Sequence, residues 1–325
     1  NDPPTTEIYT YTESSAASDV YKRQVICSHT DMRWDGSRME PITAIDISSE
    51  MAEGFVLPPG GIPVDVLSGL SLPETGLRFH PRQTGPRFDD AVLPVISSVH
   101  LSCGLHSGDP VLMQRLLPQL VERGIQLGAH PSYPDVFNFG QARIDLSHDE
   151  LVAVLLYQFG ALQGVLRQVD KSIRHVKCHG ALSFDVAYER WACDAMAEAI
   201  RLFDPSMVLV LMAGSPSVAW AQAAGIKVIE EGFLDRRYGP DGRLVSRHDP
   251  RALHESPEDA AGQLIDFVKH GRVTAVDGSH VALRPRTFCL HSDTPAAGAF
   301  AAAIRNAVDR EGLTIRPLSD LIVED

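Results

Sequence analysis

The sequence predicts an α/β chain whose parallel β/α units close into an irregular, seven-stranded TIM-like barrel. Three observations carry that expectation. Short apolar runs alternate with helix-like segments at the spacing of parallel β/α units. Four of the runs end in histidine-centred clusters: Cys103-Gly-Leu-His106, Gly128-Ala-His130-Pro131, Val176-Lys-Cys-His179-Gly180 and Cys289-Leu-His291-Ser-Asp293. Strands that end in proton-handling residues, repeated around a chain, are how barrel enzymes gather distant residues at one mouth. Finally, no linker after Leu93 divides the chain into two doubly wound domains, the competing architecture.

The elements follow in order. Residues 1–40 lack sustained apolar periodicity and are expected to lie outside the fold, as a disordered or non-native segment. Ser14 to Gln24 reads as a translated library or assembly artefact, with a native tail as the alternative. A single domain is expected over 41–325. Ile42 to Ser48 is the first strand, and a Pro/Gly-rich surface excursion occupies about 57–87. Leu93 to Leu101 is the second strand. Asp109-Pro110 opens a helix to Arg123, where Gly124 ends it. Ile125 to Ala129 is the third strand, and Ser147-His-Asp-Glu150 is a capping box for a helix to about Val169. Arg174 to Cys178, Met207 to Met212 and Lys227 to Leu234 are further strands. Between and after them run helices at Tyr188 to Phe203, from Ser217 to Ala224 and from Pro257 to His270. Thr287 to Leu290 is the seventh strand. Thr294-Pro295 caps a last helix that reaches about Glu311.

The formal net charge of −13 argues against nucleic acid, whose partners carry basic patches. No apolar stretch reads as long enough to span a membrane, and no segment has the basic-then-apolar order of a signal peptide. Of five cysteines, an odd number, Cys103, Cys178 and Cys289 sit beside histidines on or at strand ends. They read as reduced thiols of a cytoplasmic protein rather than a disulfide framework.

Any one of these histidines could simply satisfy buried backbone. The repeated position of His106, His130, His179 and His291 makes a shared pocket the better reading. Lys177, on an apolar strand, needs a carboxylate partner or a substrate anion, because an unpaired buried ammonium is costly. Asp46, Glu50 and Glu53 are the candidate partners. Asp293 is another, although it also suits the start of a helix; Asp109 reads as an ordinary cap. Arg236 and Arg237 follow the sixth strand and could hold a carboxylate or phosphate, or be solvated. Gly214-Ser-Pro-Ser217 leads into a helix N-terminus that could receive an anion. A metal ion is chemically possible on Asp46, His106, His130 and His179, though no tight His-Glu-x-x-His spacing supports it.

Read in order, six blocks resemble the LamB/YcsF family, the A component of the bacterial-type 5-oxoprolinase. They are Cys103 to Pro110, Gly128 to Asp135, Tyr157 to Gln163, His175 to Leu182, Phe233 to Tyr238 and His291 to Pro295. The resemblance spans about Ile42 to Pro317. It implies an irregular seven-stranded barrel of the glycoside hydrolase/deacetylase type. It also implies ATP-driven opening of 5-oxoproline, a lactam, to L-glutamate, with ATP and Mg2+ as cofactors and B- and C-type subunits as partners. On that reading His106, His130, Lys177, His179, Asp46 and Glu53 are catalytic. Arg236, Arg237, His291, Asp293 and Glu50 bind substrate or phosphate. Alternatives are a metal-dependent amidohydrolase or deacetylase on the same barrel, and a weakened binding homologue. Departures from the family's Asp-Leu-Asn-x-Asp-x-Gly-Glu-Gly pattern are Ser48, Glu50 and Ala52, in the Asn, Asp and Gly positions. His100 replaces Asn, Cys178 replaces Pro, Ser183-Phe184 replaces a Tyr-Asn pair, and Gln141-Ala142 replaces an arginine pair.

Overall fold

In a computed structural model, residues 41–53, 89–293 and 296–322 are described. The expectations for 1–40, for the 57–87 excursion and for the Thr294-Pro295 cap fall outside them. Seven parallel strands close into a barrel: β1 (Ala44–Met51), β2 (Ser98–Ser102), β3 (Gln126–His130), β4 (His175–Val176), β5 (Val208–Met212), β6 (Lys227–Phe233) and β9 (Thr287–Cys289). β9 pairs with both β6 and β1, which completes the ring. Between β6 and β9 lies a small antiparallel hairpin, β7 (Arg272–Thr274) and β8 (His280–Ala282), that the apolar pattern does not announce. A two-residue strand, β10 (Thr314–Ile315), extends the sheet beside the start of β1.

The helices are α1 (Asp89–Val92), α2 (Pro110–Glu122), α3 (His148–Leu166), α4 (Gly180–Tyr188), α5 (Arg190–Phe203), α6 (Ser217–Ala223), α7 (Pro257–His270) and α8 (Ala297–Arg310). Several ends are set by local chemistry. Asp109 accepts from the N–H groups of Val111 and Leu112 at 2.7 and 3.1 Å. Ser147 and Glu150 form the expected capping box, and Ser256 accepts from Asp259 N–H. The expected helix from Tyr188 has a separate predecessor: α4 begins directly at Gly180, and the chain breaks helical geometry at Glu189. The segment His148–Val169 corrects the membrane expectation, being long and apolar enough to cross a bilayer by length and composition. Here it buries Leu151, Leu155, Phe159, Leu162 and Leu166, a stripe at helical spacing.

Successive strand residues alternate between two surroundings, and that alternation decides what the barrel contains. One set, including Ile45, Ile47, Val99, Leu101, Leu127, Ala129 and Val176, joins the main hydrophobic core with the helices. The other set faces inward and is polar on most strands: Asp46, Ser48 and Glu50 on β1, His100 and Ser102 on β2, His130 on β3, Glu231 on β6. Below them, Val208, Val210 and Ile229 pack with Leu318 and Leu321 of a terminal turn, which closes the barrel floor. Leu318 N–H donates to Ser98 Oγ at 3.1 Å and fixes that turn under β2.

Gly128 is the small member of the inward set. A Cβ built there would lie 2.1 Å from His175 Nε2, so the imidazole occupies the space that a side chain would need. His175 in turn approaches the Val99 carbonyl at 3.2 Å, and burial lowers its pKa to about 3, so it fills the interior as a neutral ring. Gly128→Ala is expected to cost about 3 kcal/mol or more through overpacking. Urea unfolding measures it, and a midpoint equal to that of the wild type would contradict this packing.

Candidate active site

The C-terminal ends of the strands bring together most of the residues singled out in the sequence. At their centre is Lys177, just beyond β4. Its ammonium lies 3.0 Å from Glu50 Oε1 and 2.9 Å from Glu231 Oε2, and all three side chains are buried. Its expected carboxylate partner is thus present, together with a second one. Burial opposes the charge on Lys177, yet Cys289, Glu231 and Glu50 around it hold its proton well above the usual lysine range. Burial likewise opposes ionisation of Glu50, but Lys177, His130 and His291 keep it ionised well below the usual range. For Glu231 burial prevails and pushes the carboxyl up.

Glu50 also links the ion pair to the histidines. Its Oε2 lies 3.5 Å from His130 Nε2, 4.0 Å from His179 Nδ1 and 3.7 Å from His291 Nε2. His130 Nε2 meets His179 Nδ1 at 3.0 Å, and Glu53 Oε1 is 3.5 Å from the same His179 nitrogen. His106 stacks flat on His179, with ring centroids 4.0 Å apart. Its ring nitrogens face Ser132 Oγ at 2.8 Å and Ser102 Oγ at 3.1 Å. Gln158, in the Tyr157–Gln163 block, clasps both the N–H and the carbonyl of Ser132 and so fixes this loop.

His291 faces Glu50 and Lys177 from the end of β9. Its Nδ1 is 2.7 Å from Asp235 Oδ2 and its Nε2 is 3.3 Å from Arg247 Nη2. A carboxylate accepts and a guanidinium donates, so Nδ1 carries the ring hydrogen and the Nε2 lone pair accepts from Arg247. Burial opposes the charge on Asp235, and His291 with Arg247 and Arg236 holds it ionised. Asp293 lies 4.0 Å from Arg247 Nη1, on the same rim.

Three expectations are corrected. Asp46 is not in this cluster. It sits near the floor, two inward positions below Glu50, where Ser97 Oγ and Thr287 Oγ1 approach its oxygens at 2.6 Å. It therefore belongs neither with the catalytic set nor with a metal set containing His130 and His179. Arg236 and Arg237 do not form a paired anion clamp: the charge of Arg236 falls on Asp235. Arg236 is buried with Nη2 on the Val245 carbonyl at 2.7 Å, and Arg237 exerts its charge on Asp249 and His254. The arginine beside His291 is Arg247, on the loop beyond them. Gly214 N–H is taken by Glu230 at 2.8 Å, so the turn before α6 offers its amide to a carboxylate of the chain itself.

Sequence reasoning missed Glu231 and Arg247, and assigned no role to Asp235 or His100. The signal for Glu231 was its parity: it stands two residues before Phe233, and both share the inward face of β6. His100 is fully buried 3.8 Å from Glu231 and edge-on to His175. Burial, reinforced by His175, Lys177 and His130, keeps it neutral.

A closed parallel β/α barrel with a buried histidine–carboxylate site at its C-terminal mouth defines the class of this protein. The LamB/YcsF family model matches residues 75–323, and the chain belongs to that family. The A component of 5-oxoprolinase from Acinetobacter baumannii is 41% identical over 230 residues, covering 70% of this chain and 90% of the relative. That of Methylococcus capsulatus is 41% identical over 245 residues, covering 75% and 94%. Among solved structures, the lactam utilization protein from Thermus thermophilus aligns with a TM-score of 0.70 and 31% identity, covering 85% of this chain and all of that one.

The floor carboxyl supplies a pH test. Burial raises Asp46 from 3.8 to about 6, against the hydroxyl hydrogen bonds that favour its charge. A folded-state value above the unfolded one means the native state holds the extra proton. Its stabilising effect is full below about pH 4 and is lost as pH rises towards about 6, a change of roughly 3 kcal/mol. In Asp46→Asn this dependence disappears. Urea unfolding across pH 4–7 is expected to show the wild type losing stability relative to the variant; a difference independent of pH would contradict the assignment.

Proposed function

We propose that this barrel mouth opens a cyclic amide, with 5-oxoproline as substrate and L-glutamate as product. The observation that carries the reading is the oriented His291–Asp235 pair aimed at the Glu50–Lys177 centre, in a chain whose relatives are named as the A component of 5-oxoprolinase. Amide hydrolysis requires a base to take a proton from water, a group to stabilise charge on the carbonyl oxygen, and a proton for the departing nitrogen. His291 Nε2, with Asp235 fixing its tautomer, is the base. Lys177 is the cation for developing negative charge. The proton that His291 takes from water is the one returned to the departing nitrogen.

A lactam is a poor electrophile, and transfer of a phosphoryl group from ATP to its oxygen would activate the ring carbon: water adds there, the tetrahedral intermediate collapses by breaking the C–N bond with a proton to the nitrogen, and a second water hydrolyses the resulting acyl phosphate to L-glutamate and phosphate. ATP with Mg2+, and B- and C-type subunits, belong to this proposal. Among the described residues the mouth carries Glu50, Glu53, Glu231 and Asp235 against Lys177 and Arg247, a balance poorly suited to a triphosphate. We assign the nucleotide to the partner subunits and the ring-opening step to this chain.

The test is to mix the chain with B- and C-type subunits and follow 5-oxoproline-dependent ATP hydrolysis together with glutamate formation. His291→Ala and Asp235→Asn are expected to lower the rate by about 100-fold or more. Full activity in either variant would refute this assignment of the base. Glutamate release by the chain alone without ATP would instead favour a metal-dependent amidohydrolase.

A further inference from the structure

The backbone around the histidine pair determines which ring nitrogens carry hydrogen. His130 Nδ1 lies 2.8 Å from the Lys177 carbonyl, and His179 Nε2 lies 2.8 Å from the Phe139 carbonyl. A carbonyl only accepts, so each of these nitrogens donates. Gln141 Nε2, 3.3 Å from His179 Nε2, donates to the same Phe139 carbonyl at 3.3 Å. The two remaining nitrogens, His130 Nε2 and His179 Nδ1, then point lone pairs at each other across 3.0 Å. Glu53 Oε1 stands 3.5 Å from His179 Nδ1, and Glu50 Oε2 stands 3.5 Å from His130 Nε2.

Glu53, His130 and His179 each bring one ligand atom to within 4.8 Å of the others. An imidazole whose far N–H is held by a backbone carbonyl is also the usual setting of a histidine that binds metal. His106 is different. Ser132 Oγ gives its hydrogen to the Tyr133 carbonyl at 2.7 Å, so His106 Nδ1 donates to Ser132 and its Nε2 accepts from Ser102. Both of its nitrogens are engaged, although it lies within the same group of close ligand atoms.

We propose that His130 Nε2, His179 Nδ1 and the Glu53 carboxylate, with Glu50 alongside, bind one divalent transition-metal ion. Two imidazoles with a carboxylate suit zinc, manganese or cobalt better than magnesium. Asp46 and His106 are not ligands. The ion would supply Lewis-acid polarisation of a substrate oxygen. Its use in catalysis rests on the lactam-opening reading; its binding does not.

The test uses the isolated full chain, stripped with chelator and titrated with Zn2+, Mn2+ and Co2+. The readouts are metal content, calorimetry and the visible absorption of bound Co2+. About one equivalent is expected per chain, with affinity lowered by about tenfold or more in His130→Ala, His179→Ala and the milder Glu53→Gln. His106→Ala should bind as the wild type does. Circular dichroism confirms that each variant is folded. Absence of stoichiometric binding by the wild type overturns the proposal, because a proton shared by the two rings then accounts for the geometry. Undiminished binding in all three ligand variants overturns it as well. Because no substrate or partner protein is present, failure of metal binding and failure of lactam opening are separate results.

Discussion

The ammonium of Lys177, buried between Glu50 and Glu231, is the interaction on which the barrel mouth depends. A charge there is tolerable only because two carboxylates surround it, and each carboxylate is tolerable only because of the lysine. The arrangement ties β1, the end of β4 and β6 together across the barrel. Glu50 then extends it to within 4.0 Å of His130, His179 and His291. The face of Phe233 lies 4.8 Å from the lysine nitrogen and closes this centre on one side.

Strand alternation explains why so many polar groups share one small space. On each strand the residue two positions on returns to the interior, so the barrel rises from a floor of apolar residues and the hydroxyl-bound Asp46, through a neutral histidine layer, to the charged mouth. Gly128 and His175 show how tightly the middle layer is filled. The altered first strand of this family member can be placed in the same scheme. Ser48, in the family's Asn position, approaches Glu231 with Oγ at 3.4 Å from Oε1, and Glu50, one methylene longer than Asp, reaches Lys177 directly. Ala52 holds φ at 60°, the left-handed region that suits the glycine of the usual pattern, between the two acidic residues of the site. Gln141, where the family has an arginine, touches His179.

The barrel was legible because four of its seven strands carry two signals at once: an apolar run with a turn after it, and a histidine-centred cluster at its end. Capping residues such as Asp109, Ser147 and Ser256 are local chemistry and survive folding unchanged. Partners that meet only through the tertiary structure were not legible. Glu231 sits beside Glu230 on β6; parity with Phe233 puts it on the inward face, but only the tertiary structure brings that face to the lysine while Glu230 meets the Gly214 N–H. Arg247 comes from a loop with no periodicity, ten residues after Arg237, and reaches His291 only because the chain folds back there. Asp46 misled for the opposite reason. Its place in a family motif suggested chemistry, whereas β1 runs the height of the barrel and leaves it near the floor. The short strand β10 and the hairpin β7–β8 have too few residues to show a period at all.

A double-mutant cycle on Lys177 and Glu231 tests the central ion pair most directly. Stabilities of the wild type, Lys177→Met, Glu231→Gln and the double variant would be measured by urea unfolding. The structure predicts a coupling of about 2–3 kcal/mol, with Lys177→Met the more damaging single change because it strands two buried carboxylates. Effects that add to within about 0.5 kcal/mol would contradict a mouth organised by this lysine.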